Sequence, residues 1–146
     1  MGQQQLLLIV LGIIIVGIAI AVGVNMFQSS AVDTNRQAMI SDLANYAAKA
    51  QRFFRTPTEL GGGSQDFQGF HLSPIDTGNA NGSYSVTETA PSGAAYVPGA
   101  TDTITTANTQ TIYVVGCGKE TGDDGSNPVK AYVTVTAAGI NTNIEN

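Results

Sequence analysis

The sequence is poor in the side chains that most catalytic and metal sites use. Its 146 residues include one Cys, one His and no Trp. One Cys cannot form a disulfide within the chain, and one Cys with one His cannot complete a Cys/His zinc site. Charged residues make up 12% of the chain, about half the usual share in globular proteins. We therefore expect no catalytic residues, no metal site and no cofactor, and we expect that the protein is not an enzyme.

Basic residues are scarce as well. Six Lys and Arg stand against eleven Asp and Glu, which gives a formal net charge of −5. Residues 1–59 carry four basic and three acidic side chains, whereas residues 60–146 carry two basic and eight acidic ones. This balance argues against a nucleic-acid partner, and it places the acidic surface in the distal part of the chain.

Apolar residues, in contrast, are concentrated near the start. Every residue from Leu6 to Val24 is apolar or Gly, and the first charged residue is Asp33. As a helix this run spans roughly 28 Å, close to the ~30 Å hydrocarbon core of a bilayer. It has no polar face with which to cover a soluble core, and a cleaved signal peptide has a shorter apolar stretch and a basic start. The run predicts a helix that spans a membrane or lies in the core of a filament.

The helical pattern continues beyond the apolar run. No Pro occurs before Pro57, and no Gly occurs between Val24 and Arg55. Thr56-Pro57 ends the helix, because Pro lacks an N–H and disfavours helical geometry in the residue before it. An apolar stripe at helical spacing predicts the packed face of this second half: Val32, Met39, Leu43, Ala47, Ala50 and Phe54.

Residues beyond the helix predict a small antiparallel β-sheet. A flexible loop begins at Gly61-Gly62-Gly63-Ser64, and a turn-rich stretch from Glu120 to Pro128 predicts a hairpin between the two strongest strands. The strand candidates are Tyr84 with Val86, a weaker stretch at Thr101–Thr106, then Thr109–Gly118, Val129–Thr136, and a short strand with Ile140 and Ile144.

A sheet domain of this size without a disulfide is marginal alone, so one apolar face needs a partner. The second half of the helix is the obvious one. We therefore predict an α+β fold in which one long N-terminal helix packs its distal half on a small antiparallel β-sheet. The expected segments are an apolar membrane or filament-core helix at 1–28, its amphipathic continuation at 29–56, and a Gly-rich loop with the sheet at 57–146.

Three features could in principle carry chemistry. His71 and Cys117 have no apparent carboxylate to orient them, so we interpret them as a loop histidine and a buried structural thiol. The loop containing Asp123 and Asp124 has the oxygen ligands that calcium prefers but not the spacing of a known calcium loop, and a hairpin turn is the simpler interpretation. Asn81-Gly82-Ser83 matches the N-glycosylation pattern, which occurs often by chance and makes Asn81 a possible modification site.

The order of a short polar start, the Leu6–Val24 run, an amphipathic continuation and a small sheet resembles the type IV pilin family. The resemblance covers residues 1–60 in pattern and the remainder in architecture only. It implies that Met1 is the mature start and is N-methylated. The family usually has a glutamate where this chain has Gln5, and commonly a proline where it has Val22. Gly17 and Gly23 leave open a local break of the helix instead.

The resemblance also implies a function: a structural subunit of a type IV pilus-like extracellular filament, assembled through its apolar helix. Its implied partners are copies of itself in a helical homopolymer, the inner membrane before assembly, and the pilus assembly machinery. Its implied location is the cell surface, after a membrane-inserted stage. The residues implied in assembly are Met1, Gln5, Leu6, Leu7, Leu8, Ile9, Leu11, Gly12, Ile14, Gly17 and Gly23.

Two other functions fit the same pattern. A pseudopilin of a type II secretion system would push a secreted substrate rather than form a long fibre, and some of these proteins bind calcium in an acidic loop. A single-span membrane protein with an extracytoplasmic domain would be monomeric in lipid and would carry basic residues beside the span on the cytoplasmic side.

Overall fold

The computed structural model describes residues 2–92 and 103–145, and these begin with one continuous helix. Helix α1 (Gly2–Arg55) is 54 residues long, which corresponds to roughly 80 Å. The predicted end at Thr56-Pro57 is confirmed, and the Thr56 hydroxyl caps it by donating to the Arg52 carbonyl at 2.7 Å. The helix shows no break at Gly17 or Gly23. Glycine costs about 1 kcal/mol in a helix but keeps its N–H and C=O, so the hydrogen bonding continues through both positions.

The sheet has four antiparallel strands in the order β1-β2-β3-β4. The α+β fold predicted from the sequence is therefore confirmed. The strands are β1 (Gly82–Thr87), β2 (Thr111–Thr121), β3 (Pro128–Thr136) and β4 (Ile140–Ile144). A short 3₁₀ helix (Thr58–Leu60) follows α1 and ends at Gly61, whose φ of 80° lies in the left-handed region that favours glycine.

The strand predicted at Thr101–Thr106 is wrong for residues 103–106, and 101 and 102 lie outside the described residues. Thr103 forms only an isolated bridge with His71. The N–H groups of Thr105 and Thr106 donate to the Glu88 carboxylate at 2.7 and 2.9 Å. Because a side chain occupies these donors, they cannot pair with a neighbouring strand.

The core lies between the distal half of α1 and one face of the sheet. The predicted stripe is confirmed, with Val32 only partly buried and with one addition, Tyr46, whose ring meets that of Tyr84 edge-on at 4.9 Å. The helix residues buried in this core are Met39, Leu43, Tyr46, Ala47, Ala50 and Phe54. The sheet residues facing them include Tyr84, Val86, Ile112, Val114, Ala131, Val133 and Val135.

Aromatic side chains hold the loop that joins the helix to the sheet. Phe54 stacks on Phe67 with ring centroids 4.7 Å apart, and Phe53 lies 5.5 Å from Phe70. Phe67 is fully buried, as expected for an anchor of its loop. These contacts fix the C-terminal end of the helix, so the whole rod has one orientation relative to the sheet.

Candidate assembly surface

The N-terminal half of α1 is exposed on every side. Every large apolar side chain from Leu6 to Phe27 is solvent-exposed, and none of the most apolar window, with a mean hydropathy of 3.2, is buried. Within 2–92 and 103–145, α1 is the one helix long and apolar enough to cross a membrane. By length and composition this half of the helix is suited to membrane insertion or to assembly with other apolar helices.

The structure places the predicted assembly residues along this rod, except Met1, which lies outside the described residues. Gly12, Gly17 and Gly23 each have open space where a Cβ would stand. At 3.6 residues per turn, Gly12 and Gly23 fall on nearly the same face about three turns apart, and Gly17 falls on another. Two faces of the rod therefore permit close approach of a neighbouring helix. The remaining predicted residues are exposed around the circumference: Gln5, Leu6, Leu7, Leu8, Ile9, Leu11 and Ile14.

A polar clamp marks the point where the free half ends. The Arg36 guanidinium contacts Asp33 at 3.0 Å and Asp123, in the β2–β3 loop, at 2.8 Å. One residue earlier, the Asn35 amide donates to the Asn81 carbonyl at 2.9 Å. Asp123 is 78% exposed, so its ion pair adds little to stability, but together these contacts join the helix to the sheet domain just beyond Val32.

Beside the clamp, an open groove of ≈ 810 Å³ separates the helix from the end of the hairpin. Asn25, Gln28 and Val32 line it on the helix side, and Glu120 and Asp123 line it on the hairpin side. The groove begins where the apolar run ends.

Asp42 is the main polar contact between α1 and the sheet. One oxygen, Oδ2, accepts hydrogen bonds from Tyr84 at 2.7 Å and from the amides of Asn79 and Asn81 at 2.8 Å each. Burial alone would raise the pKa of Asp42, but these three bonds outweigh it and hold the pKa below its ordinary value. Burial, and then the bond to Asp42, raise the pKa of the Tyr84 phenol, which stays protonated and donating.

The Asp123-Asp124 loop is a hydrogen-bonded turn. Asp124 accepts from the N–H groups of Ser126 and Asn127 at 3.0 and 2.9 Å, and Asp123 is engaged by Arg36. In the described part of the chain, no three His, Cys, Asp or Glu side chains group in a way that could hold a metal ion. The loop therefore has a structural explanation that needs no ion.

The structure does not bring His71 and Cys117 together in any described contact. The His71 ring lies 3.1 Å from the Gly69 carbonyl in an exposed loop. Cys117 is buried in β2 opposite Ser83 and Lys130. Burial raises the pKa of the Cys117 thiol, against a smaller opposing effect of the Lys130 charge. His71 therefore lies in a loop and Cys117 is buried, as expected, and the structural role of the thiol stays a prediction.

The Asn81 side chain is hydrogen-bonded within the fold. Its side-chain nitrogen, the atom that a glycan would modify, donates to Asp42 at 2.8 Å, and its side chain is partly buried. Glycosylation at Asn81 remains a prediction from the sequence pattern, and it would require loss of this hydrogen bond.

Comparison with known proteins adds no further assignment: no family model matches this chain, and neither does any curated protein sequence or any solved structure.

Proposed function

We propose that this protein is the structural subunit of a type IV pilus-like extracellular filament, and that it is not an enzyme. The subunit is membrane-inserted first and is then built by the pilus assembly machinery into a helical homopolymer on the cell surface. The observation that carries this proposal is the division of α1: its distal half is packed on a folded domain, and its apolar half projects with no cover.

The exposed apolar half cannot remain in water. Moving one Leu or Ile side chain out of water is worth about 1.5–3 kcal/mol, and such side chains follow one another from Leu6 to Val24. A bilayer provides one apolar environment and a bundle of identical helices provides another. Because both environments are apolar, the choice of the bundle depends on close packing, for which Gly12, Gly17 and Gly23 leave room.

Charge supports the same proposal. No charged residue occurs from Gly2 to Val32, so a bundle of these segments has no side-chain charge to desolvate. Gln5 can donate and accept hydrogen bonds inside such a bundle at a lower desolvation cost than a carboxylate. The acidic domain beyond residue 60 would then lie on the outside of the filament, in water.

Electron microscopy of sheared cell-surface material tests the proposal. We expect long filaments composed of this subunit in cells that express it. A pseudopilin gives short assemblies that stay in the cell envelope, and a single-span protein gives only membrane-bound monomers. Either of these results would overturn the proposal.

A matched pair of substitutions tests which surface assembles. Ile14 and Ile75 are both exposed, at 52% and 84%, but only Ile14 lies in the apolar half of α1. We expect Ile14→Asp to abolish filaments, because a carboxylate in an apolar bundle is strongly unfavourable. We expect Ile75→Asp, in a surface loop, to leave filament yield nearly unchanged. Equal effects at matched protein levels would contradict assembly through the helix.

A further inference from the structure

In the described part of the chain, β4 is the strand whose outer edge is free along its whole length. The outer edge of β1 is covered over its first half, Gly82–Tyr84, by the segment at 77–79: Tyr84 N–H donates to the Thr77 carbonyl and Asn79 N–H donates to the Gly82 carbonyl, both at 2.9 Å. Strand β4 pairs with β3 on one side and with no described strand on the other. Exposed edges are usually protected by charge or Pro, and β4 contains neither.

The hydrogen-bonding phase of β4 follows from the bonds at its two ends. Thr136 N–H donates to the Gly139 carbonyl at 2.9 Å, and Glu145 N–H donates to the Lys130 carbonyl at 3.0 Å. The register between these ends is regular. In an antiparallel ladder, bonded and non-bonded positions alternate. The backbone groups of 139, 141, 143 and 145 therefore face β3, and those of 140, 142 and 144 face outward.

The outward positions carry a self-complementary sequence. Strand β4 reads Ile-Asn-Thr-Asn-Ile, which is the same in both directions about Thr142. If a second copy pairs antiparallel about that residue, Thr142 faces Thr142 of the partner subunit and Ile140 faces Ile144 of the partner subunit. The residues of these pairs are the ones whose N–H and C=O point outward, so they can form the hydrogen bonds of the new ladder. Ile140 and Ile144, exposed at 41% and 54%, would cover one another.

We propose that the free edge of β4 pairs antiparallel with β4 of a second copy of this chain and so joins two filaments side by side. The two paired copies are related by a two-fold axis normal to the sheet. Rotation about this axis reverses every direction that lies in the plane of the sheet. The two apolar helices therefore leave the pair in opposite directions. Neighbours within one filament share a direction, so the pair joins filaments that run oppositely. This inference rests on the proposed function.

The small size of the contact explains why it needs a filament. A standard interface uses roughly 20–30 residues a side, whereas β4 supplies five. A single pair is too small to hold two isolated subunits together. Many pairs repeated along two filaments act together, because each contact raises the effective concentration for the next.

Bundling of filaments made by the full chain, counted by electron microscopy, tests this inference at Thr142. We expect wild-type filaments to form bundles and Thr142→Pro to release them as single filaments at unchanged yield. Proline removes the central outward N–H but no bond to β3, as edge strands tolerate. The matched control Thr142→Val keeps the N–H, and we expect it to keep the bundles.

Two charged substitutions at the same position give a second test, which does not depend on whether the Thr142→Pro protein folds. Because Thr142 faces its own copy, Thr142→Lys and Thr142→Glu each place like charges opposite one another, and each should give single filaments. Mixing the two populations should restore bundles, since Lys then faces Glu. Single wild-type filaments, or bundles unaffected by Thr142→Pro and Thr142→Lys, would overturn this inference alone. Absence of any filament would overturn it together with the proposed function.

Discussion

At the scale of single residues, Asp42 joins the helix to the sheet. From the helix sequence alone, Asp42 can be predicted only to lie on a polar face, off the apolar stripe. Its three donors come from 79, 81 and 84, which are distant in sequence, so the contact depends on how the loop before β1 folds back. Local patterns could predict the buried Cys117 but not this network. Lys130 is a similar case, because strand alternation does not predict that it is only 4% exposed.

The first residue-scale prediction concerns the free energy of unfolding at acidic pH. Hydrogen bonds hold the pKa of Asp42 below its ordinary value of 3.8, and backbone N–H groups outweigh burial to do the same at Asp66. The side chain and then the backbone of Thr106 lower the pKa of Glu88. A carboxylate with a lowered folded pKa stabilises the fold above its unfolded pKa, and that stabilisation is lost as pH falls through the folded pKa. We expect the free energy of unfolding to be level above about pH 5 and to fall below about pH 4.

Asp42→Asn isolates one of these groups. We expect it to lower the free energy of unfolding at pH 7 by about 1–2 kcal/mol, because charged hydrogen bonds become neutral ones, and to reduce the loss at pH 3. Urea unfolding in detergent, followed by circular dichroism, measures both. Asp33→Asn is the control, since it removes only an exposed ion pair with Arg36. An Asp42→Asn protein as stable as wild type at pH 7 would contradict the role of this network.

At the scale of elements, alternation and turn composition predicted the two strongest strands and their hairpin. The pattern could not predict that β2 runs on to Thr121, because an irregularity after Cys117 breaks the alternation there. It also could not predict that Thr105 and Thr106 donate their N–H groups to the Glu88 carboxylate, a contact made across a long loop. Strand existence is a local property, whereas strand ends depend on which donors tertiary contacts occupy.

The element-scale prediction concerns the close approach of β1 and β2 at Gly82. A Cβ there would collide with the Cys117 carbonyl oxygen and lie 3.1 Å from the Gly118 Cα. Since backbone atoms cannot swing aside, we expect Gly82→Ala to lower the free energy of unfolding by about 1–3 kcal/mol. Gly139→Ala is the matched control, because nothing lies within 4 Å of its Cβ position. Denaturant unfolding compares them, and equal stabilities would show that the strands can separate at no cost.

At the scale of the whole molecule, the structure divides into a packed part, formed by the distal half of α1 with the sheet, and an exposed apolar half of α1. The amphipathic stripe and the sheet's need for a partner predicted that the distal half of α1 packs on the sheet, and the core formed by Met39 to Phe54 with the sheet confirms it. The apolar half makes no such core contacts within the subunit, because its large side chains are exposed. Sequence pattern therefore predicts where the candidate surface lies but not how its helices cross.

The whole-molecule prediction follows from this division. We expect a fragment beginning at Ser29 to be soluble and monomeric at micromolar concentration, because it loses the Leu6–Val24 run and keeps every buried core residue of α1. One β4 pair is too small to dimerise it at that concentration. Light scattering after size-exclusion chromatography measures the mass. Fibres formed by this fragment would place assembly in the sheet domain and contradict the helix-core proposal.

Because α1 is one unbroken helix, a small tilt of its apolar half becomes a larger displacement at its distal end. The sheet domain is packed on the distal half of the same helix, so it moves with any tilt of the apolar half. If the bundled half of the helix tilts by about 5°, the distal end at Arg55, roughly 46 Å beyond Val24, moves by roughly 4 Å. Helix crossing angles scatter by more than that with the side chains at the contact. In the proposed filament, a single substitution at Gly12 is therefore expected to shift the sheet domain by a few ångströms, without altering any residue on its surface.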